Sequence, residues 1–185
     1  MITKGAAISP GILIGTRIPK DYFISKGKGE SDITVHAGSY HLALKAAGIE
    51  MCNIMVYSSI MPGIAREVPK PKTLTHGAVL ETIMAVHNTT KGKRATAGII
   101  FGILYDKKTK ERFGGLVCEH NGEYTSEEIG KKLRASLNEL YINGFDDKYD
   151  LRDITLNVES FQVKKKYGTA LVAICFVNYL VPIIK

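Results

Sequence analysis

Residues 125–143 read as an amphipathic helix, and no other stretch narrows the fold as much. Thr125 and Glu128 have capping-box spacing, and Glu127 with Lys131 and Glu128 with Lys132 are i, i+4 pairs. Ile129, Leu133, Leu137, Leu140 and Tyr141 make one apolar face that ends at Gly144. A helix of this kind must lay that face on a sheet. The chain supplies candidate strands: 77–87, rich in β-branched residues, then 95–105 and 113–119 around a charged hairpin tip at 106–112. Residues 154–161 alternate strictly, whereas 169–181 are continuously uncharged, which predicts an outer and an inner strand of one sheet.

A second helix is predicted over 39–47, with Ser39 as N-cap, Leu42, Ala43, Ala46 and Ala47 as its apolar residues, and Gly48 as its stop. Upstream, Gly11–Gly15 and Tyr22-Phe23-Ile24 are apolar runs. Lys26-Gly27-Lys28-Gly29 predicts a tight turn that ends the second run and carries Glu30-Ser31-Asp32. Pro69 and Pro71 fix an extended connector over 67–72. Many strands and two one-faced helices predict an α+β fold, with helices layered outside packed sheets.

The 185 residues, 45% hydrophobic and 23% charged, suit one domain over 1–185. Cys52, Cys118 and Cys175 are dispersed in apolar runs, as expected of reduced thiols in a cytoplasmic protein, and no metal-ligand spacing occurs. Residues 6–15 lack a charged leader, and 170–184 fall short of a membrane span with Asn178 and Pro182 interrupting, so neither a signal peptide nor a membrane helix is expected. The net charge of +7 is spread along the chain. Its densest runs, 107–110 and 164–166, fall at hairpin tips without interleaved aromatics, which argues against a nucleic-acid partner.

Chemistry concentrates in Asn53-Ile54-Met55-Val56-Tyr57-Ser58-Ser59-Ile60-Met61-Pro62, a short apolar strand running into a Ser-Ser pair and a proline-terminated turn. One reading is an ordinary strand end. The other is a self-cleaving bond: the Ser59 hydroxyl attacks the Ser58 carbonyl, and β-elimination from the resulting ester turns residue 59 into a pyruvoyl group.

Ala46-Ala47-Gly48-Ile49, Asn53-Ile54 and Ser58-Ser59-Ile60-Met61-Pro62, in that order, resemble the pyruvoyl-dependent arginine decarboxylases. Gly29-Glu30-Ser31-Asp32, His76-Gly77-Ala78-Val79-Leu80-Glu81 and Leu116-Val117-Cys118-Glu119 extend the resemblance over most of residues 20–180. It implies a four-layer α-β-β-α sandwich, assembled as a homotrimer with sites between subunits. It also implies cleavage into a β chain of 1–58 and an α chain of 59–185, and decarboxylation of arginine to agmatine through a Schiff base on the pyruvoyl group, the electron sink that no side chain provides.

The resemblance makes Ser58, Ser59, Glu119 and Asn53 the catalytic residues. Ser59 is the pyruvoyl precursor, Glu119 the acid that reprotonates the product and Asn53 a donor to the scissile carbonyl. Glu30-Ser31-Asp32 is placed near the site, and His41, Leu44, Glu50 and Ile60 are placed around the substrate. One departure stands out: His41 occupies the position of a family aspartate that pairs with the substrate guanidinium, and an imidazole does not replace a bidentate carboxylate. Either Glu50, Glu30 or Asp32 takes that role, or the substrate is a different amino acid. An unprocessed, non-catalytic trimeric binding or scaffold protein of the same fold is the alternative from another class.

Overall fold

The computed structural model describes residues 15–182, so the Gly11–Gly15 run lies almost wholly outside the described residues. In chain order the elements are β1 (Ile18–Ser31), α1 (His41–Ala47), β2 (Asn53–Val56), β3 (Ile60–Pro62), β4 (Arg66–Glu67), β5 (Val79–Thr90), β6 (Arg94–Asp106), β7 (Arg112–Gly122), α2 (Ser126–Gly144), β8 (Tyr149–Gln162) and β9 (Tyr167–Leu180). The strands form two sheets, one ordered β2-β5-β9-β1-β4 and the other β3-β7-β6-β8, giving a mixed α+β architecture. No helix among the described residues is long and apolar enough to cross a membrane.

Period-two alternation explains how one chain lines three apolar cores. Ile83 and Ala85 of β5 and Val172, Ile174 and Phe176 of β9 meet Ala97, Ile99 and Phe101 of β6 and Val117 of β7, joining the inner faces of the two sheets. Leu171, Ala173 and Cys175, on the other side of β9, pack with Ala43, Leu44 and Ala47 of α1. Ile100, Leu104 and Leu116 pack with Ile129, Leu133 and Leu137 of α2. The α2 capping box forms as predicted, and Glu127 pairs with Lys131 at 2.6 Å. Glu128, however, spends its carboxylate on Thr125, and Lys132 lies over the Tyr124 ring instead.

Four further expectations are corrected. Residues 26–29 do not end a strand, because β1 continues through them to Ser31. A Cβ at Gly27 would overlap the Ala43 carbonyl oxygen, and one at Gly29 that of Ser39, so these glycines admit the helical segment against the sheet. Ser39 does not cap a helix; it lies in a π-helical turn, Val35–Tyr40, that leads into α1, and its buried hydroxyl pairs with Thr169 at 2.9 Å. The Gly48 stop holds, in the left-handed conformation. Ile60-Met61-Pro62 is not a turn but β3, antiparallel to β7. Finally, β8 and β9 are not neighbours in one sheet: β8 is an edge of the four-stranded sheet and β9 an interior strand of the five-stranded one.

Candidate active site

Between β2 and β3 the chain leaves one sheet for the other, and Ser58-Ser59 lies in that crossing. Both flanks are pinned. On the β2 side, the Tyr57 N–H donates to the Thr82 carbonyl at 2.7 Å, and the Tyr57 ring packs on Phe176. On the β3 side, the Val117 N–H donates to the Ser59 carbonyl at 3.2 Å, and Met61 is buried in the core between the sheets. Alternation puts Ser59 on the same face as Met61 and leaves Ile60, 72% exposed, on the opposite one.

The Ser59 Oγ donates to Glu119 Oε2 at 2.6 Å. Glu119 stands opposite Ile99 and two residues beyond Val117, so its carboxyl group points between the sheets toward the crossing. The Ser58 carbonyl accepts the Ile60 N–H at 2.9 Å, closing a tight three-residue turn around Ser59. A hydroxyl on a carboxylate, next to a carbonyl already receiving an N–H, is the equipment an intramolecular acyl shift requires. Beside it opens an apolar pocket of about 390 Å³, with Ser59, Ile60, Phe113, Leu116, Leu140 and Phe145 in its lining. Burial, and behind it the Glu119 charge, pushes the Cys118 thiol up from its ordinary pKa.

The remaining predicted residues lie elsewhere in the chain. Asn53 is at the far end of β2 from Ser59, where its amide donates to the Gly77 carbonyl at 2.9 Å. His41 is exposed and Leu44 buried, and with His36 and Tyr40 they line a separate groove along the π-helical turn and α1. Glu50, half-buried, follows α1 beside Cys52, whose thiol is pushed up by burial and then by Glu50. Glu30 accepts the N–H groups of Lys164 and Lys165, and Asp32 that of Lys166, so both acids hold the β8–β9 connection. Sequence reasoning missed the Ile60 and Val117 donors. Backbone amides carry no residue signature; only the predicted adjacency of 113–119 to the Ser-Ser stretch would have exposed them.

The Ser59 hydroxyl on Glu119, the turn around it and the apolar pocket beside it make this crossing the candidate active site. The family model for pyruvoyl-dependent arginine decarboxylase (PvlArgDC) matches residues 21–181. The pyruvoyl-dependent arginine decarboxylases AaxB of Chlamydia abortus and of Chlamydia trachomatis serovar L2 are each 33% identical, over 89% of this chain and 94% of theirs. A probable pyruvoyl-dependent arginine decarboxylase of Chlorobaculum parvum is 27% identical over 65% of this chain and 70% of its own. The chain belongs to the pyruvoyl-dependent arginine decarboxylase family.

Proposed function

We propose that this chain cuts itself between Ser58 and Ser59 and then decarboxylates arginine to agmatine and carbon dioxide. The observation that carries the reading is the 2.6 Å contact from the Ser59 hydroxyl to Glu119, beside a Ser58 carbonyl that already accepts the Ile60 N–H. Glu119 takes the Ser59 proton as Oγ attacks the Ser58 carbonyl, and the Ile60 N–H stabilises the charge that grows on its oxygen. The amide nitrogen leaves with the proton returned from Glu119, giving an ester. Loss of the Cα proton of residue 59 then expels Ser58 as a carboxylate, and water releases ammonia from what remains, leaving a pyruvoyl group at the head of residues 59–185.

These residues fit that group, since its precursor hydroxyl, a proton acceptor and a carbonyl donor converge on one bond. The pyruvoyl carbonyl supplies an electrophile for the substrate amine and a sink for the electron pair left by carbon dioxide. Glu119, at the same spot, holds the proton that the product carbon needs, and the pocket beside Ser59 offers it an apolar lining.

We read the two sheets and their helices as the four-layer α-β-β-α sandwich of the family, a single domain that assembles as a homotrimer in a reducing cytoplasm. In support, Met51, Met55, Val56, Ile60 and Val79 leave an apolar band exposed along the β2 edge and the crossing. We assign the α1 groove of a second copy, with His41 and Leu44, to the site at Ser59 and Ile60. With Glu30 and Asp32 engaged by backbone N–H groups, Glu50 is the acid we assign to the guanidinium, and Asn53 we assign to the same shared site. Intact-mass analysis tests the cleavage. Carbon dioxide release from arginine, lysine, ornithine, histidine and aspartate, repeated with Glu50→Gln and His41→Asp, tests the substrate. An arginine preference lost in Glu50→Gln supports the assignment; activity on arginine only after His41→Asp overturns it.

A further inference from the structure

A separate pocket, polar and of about 480 Å³, opens where β4 and β7 come together, with Tyr22, Phe101 and Ile103 as its apolar floor. Arg66 and Arg112 line it, and they share an acceptor. The Nη1 of each donates to the same acceptor, the Ala65 carbonyl oxygen, at 2.9 Å from Arg66 and 2.5 Å from Arg112. Arg66 Nη1 also donates to the Gly63 carbonyl at 2.8 Å; two guanidinium groups sharing a carbonyl repel each other, and an anion bound to both relieves that repulsion. The Arg112 Nε is buried without a hydrogen-bond partner among the described residues, an exception that calls for an acceptor. Burial, with the Arg66 charge behind it, pulls the Arg112 guanidinium below its ordinary pKa.

Two acids, Glu67 and Asp153, share the lining with the arginines. Asp153 is aimed there by an irregularity of the fold. The β6–β8 register shifts between Phe101 and Ile103, and Asp153 in that bulge takes the left-handed conformation, φ 51°. Such bulges re-aim side chains, and the Tyr105 hydroxyl donates to the Asp153 carboxylate at 2.7 Å.

We propose that this pocket is a second binding site, separate from Ser59, for a free α-amino acid. The carboxylate sits on Arg66 and Arg112, the ammonium group faces Asp153 and Glu67, and the side chain lies over Phe101 and Ile103. Paired guanidiniums are the geometry that grips a carboxylate, and the opposing acids supply the complement for a cation. The site is independent of the cleavage chemistry, so it is testable in the Ser59→Ala chain.

The readout is the side-chain Nε–H NMR signal of Arg112, assigned by its disappearance in Arg112→Gln and followed as L-arginine, agmatine or glutarate is added. L-arginine, a carboxylate with an ammonium group, moves the signal to saturation. Agmatine, without a carboxylate, leaves it in place, and glutarate, without an ammonium group, binds about tenfold more weakly or worse. Arg66→Gln, at an exposed position, weakens L-arginine by a similar factor, and Asp153→Asn lowers it to the level of glutarate. An Arg112 signal unmoved by L-arginine, or moved equally by agmatine, overturns the proposal, as does unchanged affinity in both variants. Phe113, next to Arg112, lines the Ser59 pocket, so agmatine, which shares the guanidinium of L-arginine but not its carboxylate, reports any shift relayed from there.

Discussion

Replacing Glu119 by glutamine keeps the shape of the side chain and removes the proton acceptor from the Ser59 hydroxyl. The contact at risk is a short one, 2.6 Å, made before the chain is cut. Hydrogen bonds to charged groups contribute about 1.5–3 kcal/mol, and positioned acid–base groups about 10²–10⁴ in rate. The Ile60 N–H on the Ser58 carbonyl and the pinned backbone on either side survive the substitution, so part of the advantage remains. Cleavage of Glu119→Gln is therefore expected to slow by about 10²-fold, equivalent to about 2.7 kcal/mol of barrier, without stopping. Intact mass followed over time from freshly synthesised protein measures it, with Glu119→Asp, whose carboxylate stands one methylene further back, falling between. Turnover by whatever chain does cleave falls as well, since the same carboxyl serves both steps. Cleavage at the wild-type rate with only turnover reduced would refute the base role and confine Glu119 to proton donation after the chain is cut.

Ser59→Ala, with no nucleophile, stays a single chain by intact mass; two fragments from this variant would remove Ser59 from the chemistry. Gly27→Ala drives a methyl group into the Ala43 carbonyl and is expected to cost about 1–3 kcal/mol by overpacking, several degrees in Tm by calorimetry. Leu133→Ala, which empties part of the core under α2, is expected to cost about 2–5 kcal/mol in chemical denaturation. Burial pushes the Cys175 thiol up to about 12, so alkylation of the folded protein at pH 8 spares Cys175 and modifies it only after unfolding.

The elements that the sequence foretold correctly are those whose signals are local. The capping box, the apolar face and the stop of α2 all lie within one stretch, and the β-branched residues of β5 mark a strand wherever it pairs. The misreadings came where one signal has two physical causes. Gly27 and Gly29 look the same whether a chain must turn or a helix backbone must come close, and only the contact with Ala43 and Ser39 separates the two. Apolar alternation in β8 and continuity in β9 report how many faces are covered, not which sheet each strand joins, so two strands in different sheets read as neighbours.

The site divides along the same line. Ser58-Ser59 stood out as a hydroxyl pair at a strand end and Glu119 only through the family resemblance, and the fold brings Ser59 and Glu119 into contact across 60 residues of chain. The donor on the Ser58 carbonyl is the backbone N–H of Ile60, which any residue except proline would supply, so no residue type points to it. That makes the backbone at Ile60, rather than its side chain, the feature to perturb. Ile60→Val keeps the N–H and the strand preference and should cleave normally. Ile60→Pro removes the donor and should slow cleavage even with Ser59 and Glu119 intact. An ester in place of the Ser59–Ile60 amide, made by semisynthesis, deletes the same hydrogen without the ring. Loss of one preorganised donor of this kind costs about 10²–10³ in rate. If the ester variant cleaves as fast as the amide, the Ile60 contact is a by-product of the turn, and the charge on the Ser58 oxygen is stabilised by another group.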